Sequence, residues 1–132
     1  MPGKPAAKKG DRILALDNHL IQPPGAPPPP PVLVPHPFSG VLDAGLSQNV
    51  KIERRAAATV DSTATNTPAH IPIGGVFVNP PRNQGRVIEG SARVLINKKP
   101  AARAGSRALT CNDPVDRPIG RVVALSRVLV GG

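Results

Sequence analysis

The sequence predicts an all-β fold: a small closed body of three pseudo-three-fold β-hairpin repeats with few or no helices. Three observations carry this. One stretch, Asn97-Lys98-Lys99-Pro100-Ala101-Ala102-Arg103-Ala104-Gly105-Ser106, recurs in altered form as Gly3-Lys4-Pro5-Ala6-Ala7-Lys8-Lys9-Gly10-Asp11 and as Arg54-Arg55-Ala56-Ala57-Ala58-Thr59-Val60-Asp61-Ser62. Aligning Ala6, Ala57 and Ala101 also aligns Gly10, Asp61 and Gly105, and then Asp11, Ser62 and Ser106. Between the anchors lie short apolar segments of β-branched residues with period two, bounded by turn formers. Finally, 18 Pro and 13 Gly in 132 residues make turns dense and leave little room for long helices.

In chain order, residues 1–21 carry the first anchor and His19. Residues 22–37 form a low-complexity insert with five consecutive prolines, Pro27 to Pro31, followed by Val32-Leu33-Val34-Pro35-His36-Pro37. Such a run favours polyproline II, so the insert reads as a rigid connector across one face; a docking ligand for an aromatic groove is the alternative. Residues 40–52, 85–96 and 120–130 then repeat one plan: an apolar segment, a Gly or Ser turn, and a Val-x-Ile or Val-x-Val strand, each expected to be a hairpin. Residues 63–84 hold His70 and turns at Gly74-Gly75 and Asn79-Pro80-Pro81-Arg82-Asn83. Residues 107–119 hold the loop Thr110-Cys111-Asn112-Asp113-Pro114. The first anchor has no strand before it, and Val128-Leu129-Val130 has no anchor after it. That last strand is expected beside the first anchor, closing the third sector.

The chain reads as a single domain over 1–132, with the proline-rich insert inside it. With two Phe, no Tyr and no Trp, its core is expected to be small and narrow. Thin folds often need a staple, and one cysteine excludes an internal disulfide, which leaves a metal. The formal charge is +9 and the pI near 11.2. That balance permits a nucleic acid, an acidic membrane surface or an acidic protein partner. The Lys and Arg are scattered and stacking aromatics are absent, so a solvated basic surface is preferred to specific nucleic-acid binding. The apolar run Ile13-Leu14-Ala15-Leu16 is too short for a secretory signal, and no run approaches a membrane span. The expectation is a chain made in the cytoplasm and soluble there.

Three histidines and one cysteine fall where the repeats are followed or interrupted. Ala6 to His19 and Ala57 to His70 are both thirteen residues, and Cys111 follows Ala101 by ten. In a three-fold plan, loops in register converge at one end of the body. Imidazole and thiolate are donors that zinc prefers, and His19, His36, His70 and Cys111 would make a closed tetrahedral structural site. His36 lies outside the shared repeat position, with water or a carboxylate such as Asp113 as its substitutes.

Lys99-Pro100-Ala101-Ala102-Arg103, with Gly105-Ser106 and Thr110-Cys111 after it, resembles the motif of the proline-alanine-alanine-arginine (PAAR) family. Lys4-Pro5-Ala6-Ala7-Lys8-Lys9-Gly10-Asp11 resembles it too, and the middle copy departs, with Ala56 for proline and Asp61 for glycine. The resemblance implies a cone-shaped domain with one structural zinc ion near its apex, held by three histidines and one cysteine. It further implies a non-enzymatic tip that caps the trimeric VgrG-like spike of a contractile injection system such as type VI secretion. One copy would sit on each trimer, with effector cargo as a possible passenger and the target membrane as a transient contact. Such a tip would be assembled in the bacterial cytoplasm and end outside the cell or in a target cell. Strand edges at Val50 to Ile52, Val94 to Ile96 and Val128 to Val130 are expected to be exposed at the base, where a partner's β-structure would cover them. The alternatives are a zinc-dependent hydrolase with an open metal position and Asp17 or Asp113 as base, or a basic nucleic-acid or anionic-surface module.

Overall fold

The computed structural model describes residues 3–131; Met1, Pro2 and Gly132 lie outside the described residues. Among the described residues there are only strands and turns, no helix. The strands are β1 (Lys4–Pro5), β2 (Arg12–Gln22), β3 (Val32–Ala44), β4 (Lys51–Ile52), β5 (Arg55–Ala56), β6 (Thr63–Asn66) and β7 (Val76–Phe77). They continue as β8 (Gln84–Val87), β9 (Leu95–Ile96), β10 (Lys99–Pro100), β11 (Arg107–Thr110), β12 (Arg117–Val123) and β13 (Leu129–Val130).

Strands β2, β3, β6, β8, β11 and β12 pair antiparallel in that spatial order, and β12 returns to β2 to close a barrel. Closure removes the sheet edges that an open sheet of this kind would expose. The three sectors share one register: Ile13 faces Gly40, Ala64 faces Gly85, and Ala108 faces Gly120. Small residues are required there because the barrel is narrow. A Cβ on Gly40 would lie 2.7 Å from Phe38, and one on Gly120 would lie 2.9 Å from Ile13. Phe38 fills the interior, with Ile13, Leu42, Val87 and Val122 around it.

The alanine anchors tie the sectors about the axis. Ala7 N–H donates to Ala102 O, Ala102 N–H to Ala58 O, and Ala58 N–H to Ala7 O, each at 3.0 Å. This closed triangle leaves no room for larger side chains, and Ala7, Ala58 and Ala102 are all buried. Gly10, Asp61 and Gly105 then turn with φ of +93°, +76° and +88°, so the aspartate of the departing copy takes the backbone of the glycine it replaces. Asp11, Ser62 and Ser106 accept backbone N–H groups of Lys8, Thr59 and Arg103 through their side chains, closing the same turn three times.

Three two-residue ladders form the opposite end: β4 with β5, β9 with β10, and β13 with β1. The pairing of Lys4 with Val130 closes the third sector as the repeat required. Ile52, Ile96 and Val130 are buried in a second apolar cluster with Ala6, Ala57 and Ala101. Each ladder has only two strands, so β4, β9 and β13 each keep one edge without a strand partner among the described residues; the last residue of each points inward, while Leu95 and Leu129 point out.

Two expectations change. Residues 40–52, 85–96 and 120–130 are not self-contained hairpins, because the first part of each belongs to the barrel and the last to a basal ladder. The Gly and Ser between them turn a corner: Ser47 Oγ accepts Val50 N–H, and Ser91 Oγ accepts Val94 N–H. Within the proline-rich segment, residues 32–37 are strand β3, paired with β2 from Ile21–Val32 to Leu16–Pro37. Proline is tolerated there because neither Pro35 nor Pro37 needs to donate; only residues 23–31 form the connecting loop.

Candidate metal centre

Strand alternation aims the site. Along β2, Ile13, Asp17, His19 and Ile21 face inward, and along β3 so do His36, Phe38, Gly40 and Leu42. The long β2–β3 hairpin therefore carries one set of donors from the core towards the end remote from the anchors. The loop after β11 is stitched to β2: Asn18 N–H donates to Asn112 Oδ1, Leu20 N–H to Asp113 Oδ2, and Asp113 N–H to Asn18 O, at 2.8, 2.7 and 2.8 Å. That brings in Cys111. The loop after β6 is held by Asn83, whose Oδ1 accepts His70 N–H at 2.8 Å and Asn66 Nδ2 at 3.0 Å. That brings in His70.

Asp17, His19, His70 and Cys111 form a buried cluster that could hold a metal ion, with one donor atom from each within 4.8 Å of all the others. Asp17 Oδ2 lies 3.0 Å from His70 Nε2 and accepts Cys111 Sγ–H at 3.4 Å. His19 Nε2 lies 3.8 Å from Cys111 Sγ. Donors on one tetrahedral ion with bonds of about 2.0–2.3 Å stand roughly 3.3–3.8 Å apart, a spacing that the separations of Cys111 Sγ from Asp17 Oδ2 and from His19 Nε2 match. Asp17 Oδ1 is fixed by Thr110 Oγ1 at 2.5 Å and Asn112 Nδ2 at 3.3 Å. His19 Nδ1 is buried with no hydrogen-bond partner.

Burial sets the charges. It pulls the His19 pKa below the ordinary imidazole value, reinforced by His70 and opposed by Asp113 and Asp17. Burial, then the Asp17 carboxylate, pushes the Cys111 thiol up from 9.0 to about 12, against backbone donors at Asn83 and Gln84. A metal must therefore displace the thiol proton, since the thiolate is the ligand.

Of the residues singled out in the sequence, His19, His70 and Cys111 share this donor group, and His36 stands beside it. The His36 ring centre is 5.6 Å from that of His19 and 5.7 Å from that of His70. Its Nδ1–H donates to Val34 O at 2.7 Å, which leaves Nε2 with the lone pair, here accepting Ile73 N–H at 3.2 Å. This is the tautomer a metal ligand needs, since the outer nitrogen is already oriented by a carbonyl. His19 and His36 lie on strands rather than loops, because the proline-rich connector lengthens the hairpin that carries them. Asp17 was named in the sequence only as a candidate base for the hydrolase alternative. Its signal was the spacing Asp17-x-His19, which places both side chains on one strand face.

A closed pseudo-three-fold barrel, tied by alanine anchors and ending in a buried His, Cys and Asp cluster, defines a small all-β cone built from repeats. The family model described as PAAR motif matches residues 34–115, and the chain belongs to that family, as a PAAR-repeat protein of the spike-tip type found in type VI secretion and other contractile injection systems. No curated protein and no solved structure matches the chain.

Proposed function

We propose that this protein caps a trimeric VgrG-like spike, one copy per trimer, as a structural tip without enzymatic activity. The observation that carries this reading is the base: three equivalent two-residue ladders set around one pseudo-three-fold axis. A threefold partner can meet such a base with three similar contacts from a single chain. Leu95 and Leu129 occupy corresponding ladder positions and are 60% and 59% exposed. Apolar side chains displayed in register suit a partner's blunt end better than solvent.

The other end supports contact with a target envelope. Residues 18–42 and 62–81 contain no Lys, Arg, Asp or Glu, so these two segments of the metal-site end can lose water without stripping a charge; the charges beside them, Arg82 and Asp116, are paired with each other. His19, His70 and Cys111, with His36 or Asp17, would hold one zinc ion there. When bound, the ion would cross-link loops that are distant in sequence, where the narrow body has little core to do so. The same reading places assembly in a bacterial cytoplasm and delivery outside it, with loop 23–31 as the place for an effector to attach. Asp17, the base of the hydrolase alternative, is fully buried with both oxygens engaged, which favours a structural role.

Docking is tested with Leu95→Asp and Leu129→Asp together, on side chains that are exposed and so leave the buried Ile96 and Val130 in place. The double variant should remain folded by circular dichroism and lose co-purification with the trimeric spike. A folded variant that still co-purifies would remove base docking.

A further inference from the structure

Beside the cluster lies a cleft of about 620 Å³ whose walls include His19, Cys111, Arg82, Asp113 and Asp116. His19 and Cys111 are 1% and 3% exposed and form its floor, whereas Arg82 stands in solvent at its mouth, paired with Asp116. Two facts about the floor belong together. His19 Nδ1 is buried without a hydrogen-bond partner. It lies 3.6 Å from Asp113 Oδ2. That distance is too long for a hydrogen bond. It suits two donors of one cation, which at bonds of about 2.0–2.2 Å stand roughly 3.3–3.6 Å apart. The carboxylate is held in place by Leu20 N–H at 2.7 Å.

We propose that His19 Nδ1 and Asp113 Oδ2 form an outer cation position through which a late transition-metal ion passes between solvent and the inner cluster. The inference rests on reading the inner cluster as a metal site. One imidazole serves the two positions in turn: Nδ1 carries the lone pair for the outer ion while Nε2 keeps the ring proton. As the ion moves inward that proton leaves Nε2 and Nδ1 takes one up beside Asp113 Oδ2, which frees Nε2, 3.8 Å from Cys111 Sγ, for the inner site. Both residues line the cleft and His19 also belongs to the inner cluster, so the position lies where the cleft meets that cluster. Arg82 both repels an approaching cation and occupies Asp116, so it holds the passage slow.

A residue that serves passage alters loading and release by the same factor, because both directions cross one barrier. A ligand or a structural support alters their ratio. The probe is cobalt(II) added to the chelator-treated full chain, followed by the thiolate-to-cobalt absorption that reports Cys111 in the inner site. Release is driven by excess chelator. Asp113→Asn, which keeps an oxygen for Leu20 N–H, should slow loading and release alike by about tenfold, as loss of a focusing charge does. Arg82→Gln, at an exposed position, should speed both. Unchanged rates in both variants, or an Asp113→Asn effect confined to release, would overturn the outer position. Absence of the thiolate band in the unaltered chain would instead remove the inner metal site on which the inference rests.

Discussion

His19 and Cys111 are both held neutral in the metal-free protein, and burial is the first cause in each case. The consequences for stability have opposite pH signs. Below the ordinary imidazole value of 6.5, the unfolded chain takes up a proton at His19 that the folded chain refuses. Stability is therefore present above that pH and is lost as pH falls through the folded value. At the other end, the unfolded thiol ionises near 9.0 while the folded one keeps its proton to about 12, so stability is present below 9.0 and is lost as pH rises towards 12. Thermal denaturation in chelator should show a plateau with a fall on each flank. His19→Gln should flatten the acid flank and Cys111→Ala the alkaline one; an unchanged slope in either would show that the named group does not control it.

At the scale of the element, the anchor turn is the unit that the chain repeats, and its left-handed residue is its conformational crux. Gly105 sits at φ +88°, and the nearest heavy atom to an added Cβ is Lys4 Nζ at 3.7 Å. Space is available, so the cost of Gly105→Ala is conformational alone, about 1–2 kcal/mol for a left-handed L-residue. Urea unfolding should show that loss with an unchanged m-value. The middle repeat already bears such a cost at Asp61, offset in part by ion pairing with Arg86 at 2.9 Å, a contact that exposure to solvent keeps weak.

The whole molecule is a narrow barrel plugged by one aromatic ring. Phe38 fills the space that Gly40 and Gly85 leave open, since a Cβ on either would lie within 2.7 or 3.2 Å of its ring. A closed barrel cannot collapse onto a void as an open sheet can. Phe38→Ala should therefore cost about 3–5 kcal/mol, the usual range for removing a buried aromatic, measured by denaturant unfolding in chelator. A loss below about 1.5 kcal/mol would mean that the barrel relaxes inward and that the ring is filler rather than plug.

The sequence by itself determined the three sectors, their alanine anchors, the closure of the last sector by Val130 beside Lys4, and, of the donors it singled out, the three that the structure groups with Asp17: His19, His70 and Cys111. These were legible because each depends on local sterics repeated three times: only small residues fit the axis, and only turn formers fit the corners. What the tertiary structure decided depends on registers between strands far apart in the chain. Asp17 joins His70 across 53 residues and Cys111 across 94, and no local pattern carries those contacts. The strand character of residues 32–37 was hidden because polyproline and β backbones suit proline alike, and only pairing with β2 separates them. Ile96 inside and Leu95 outside is likewise a choice of parity, fixed by which neighbour each basal ladder meets and not by the residues themselves.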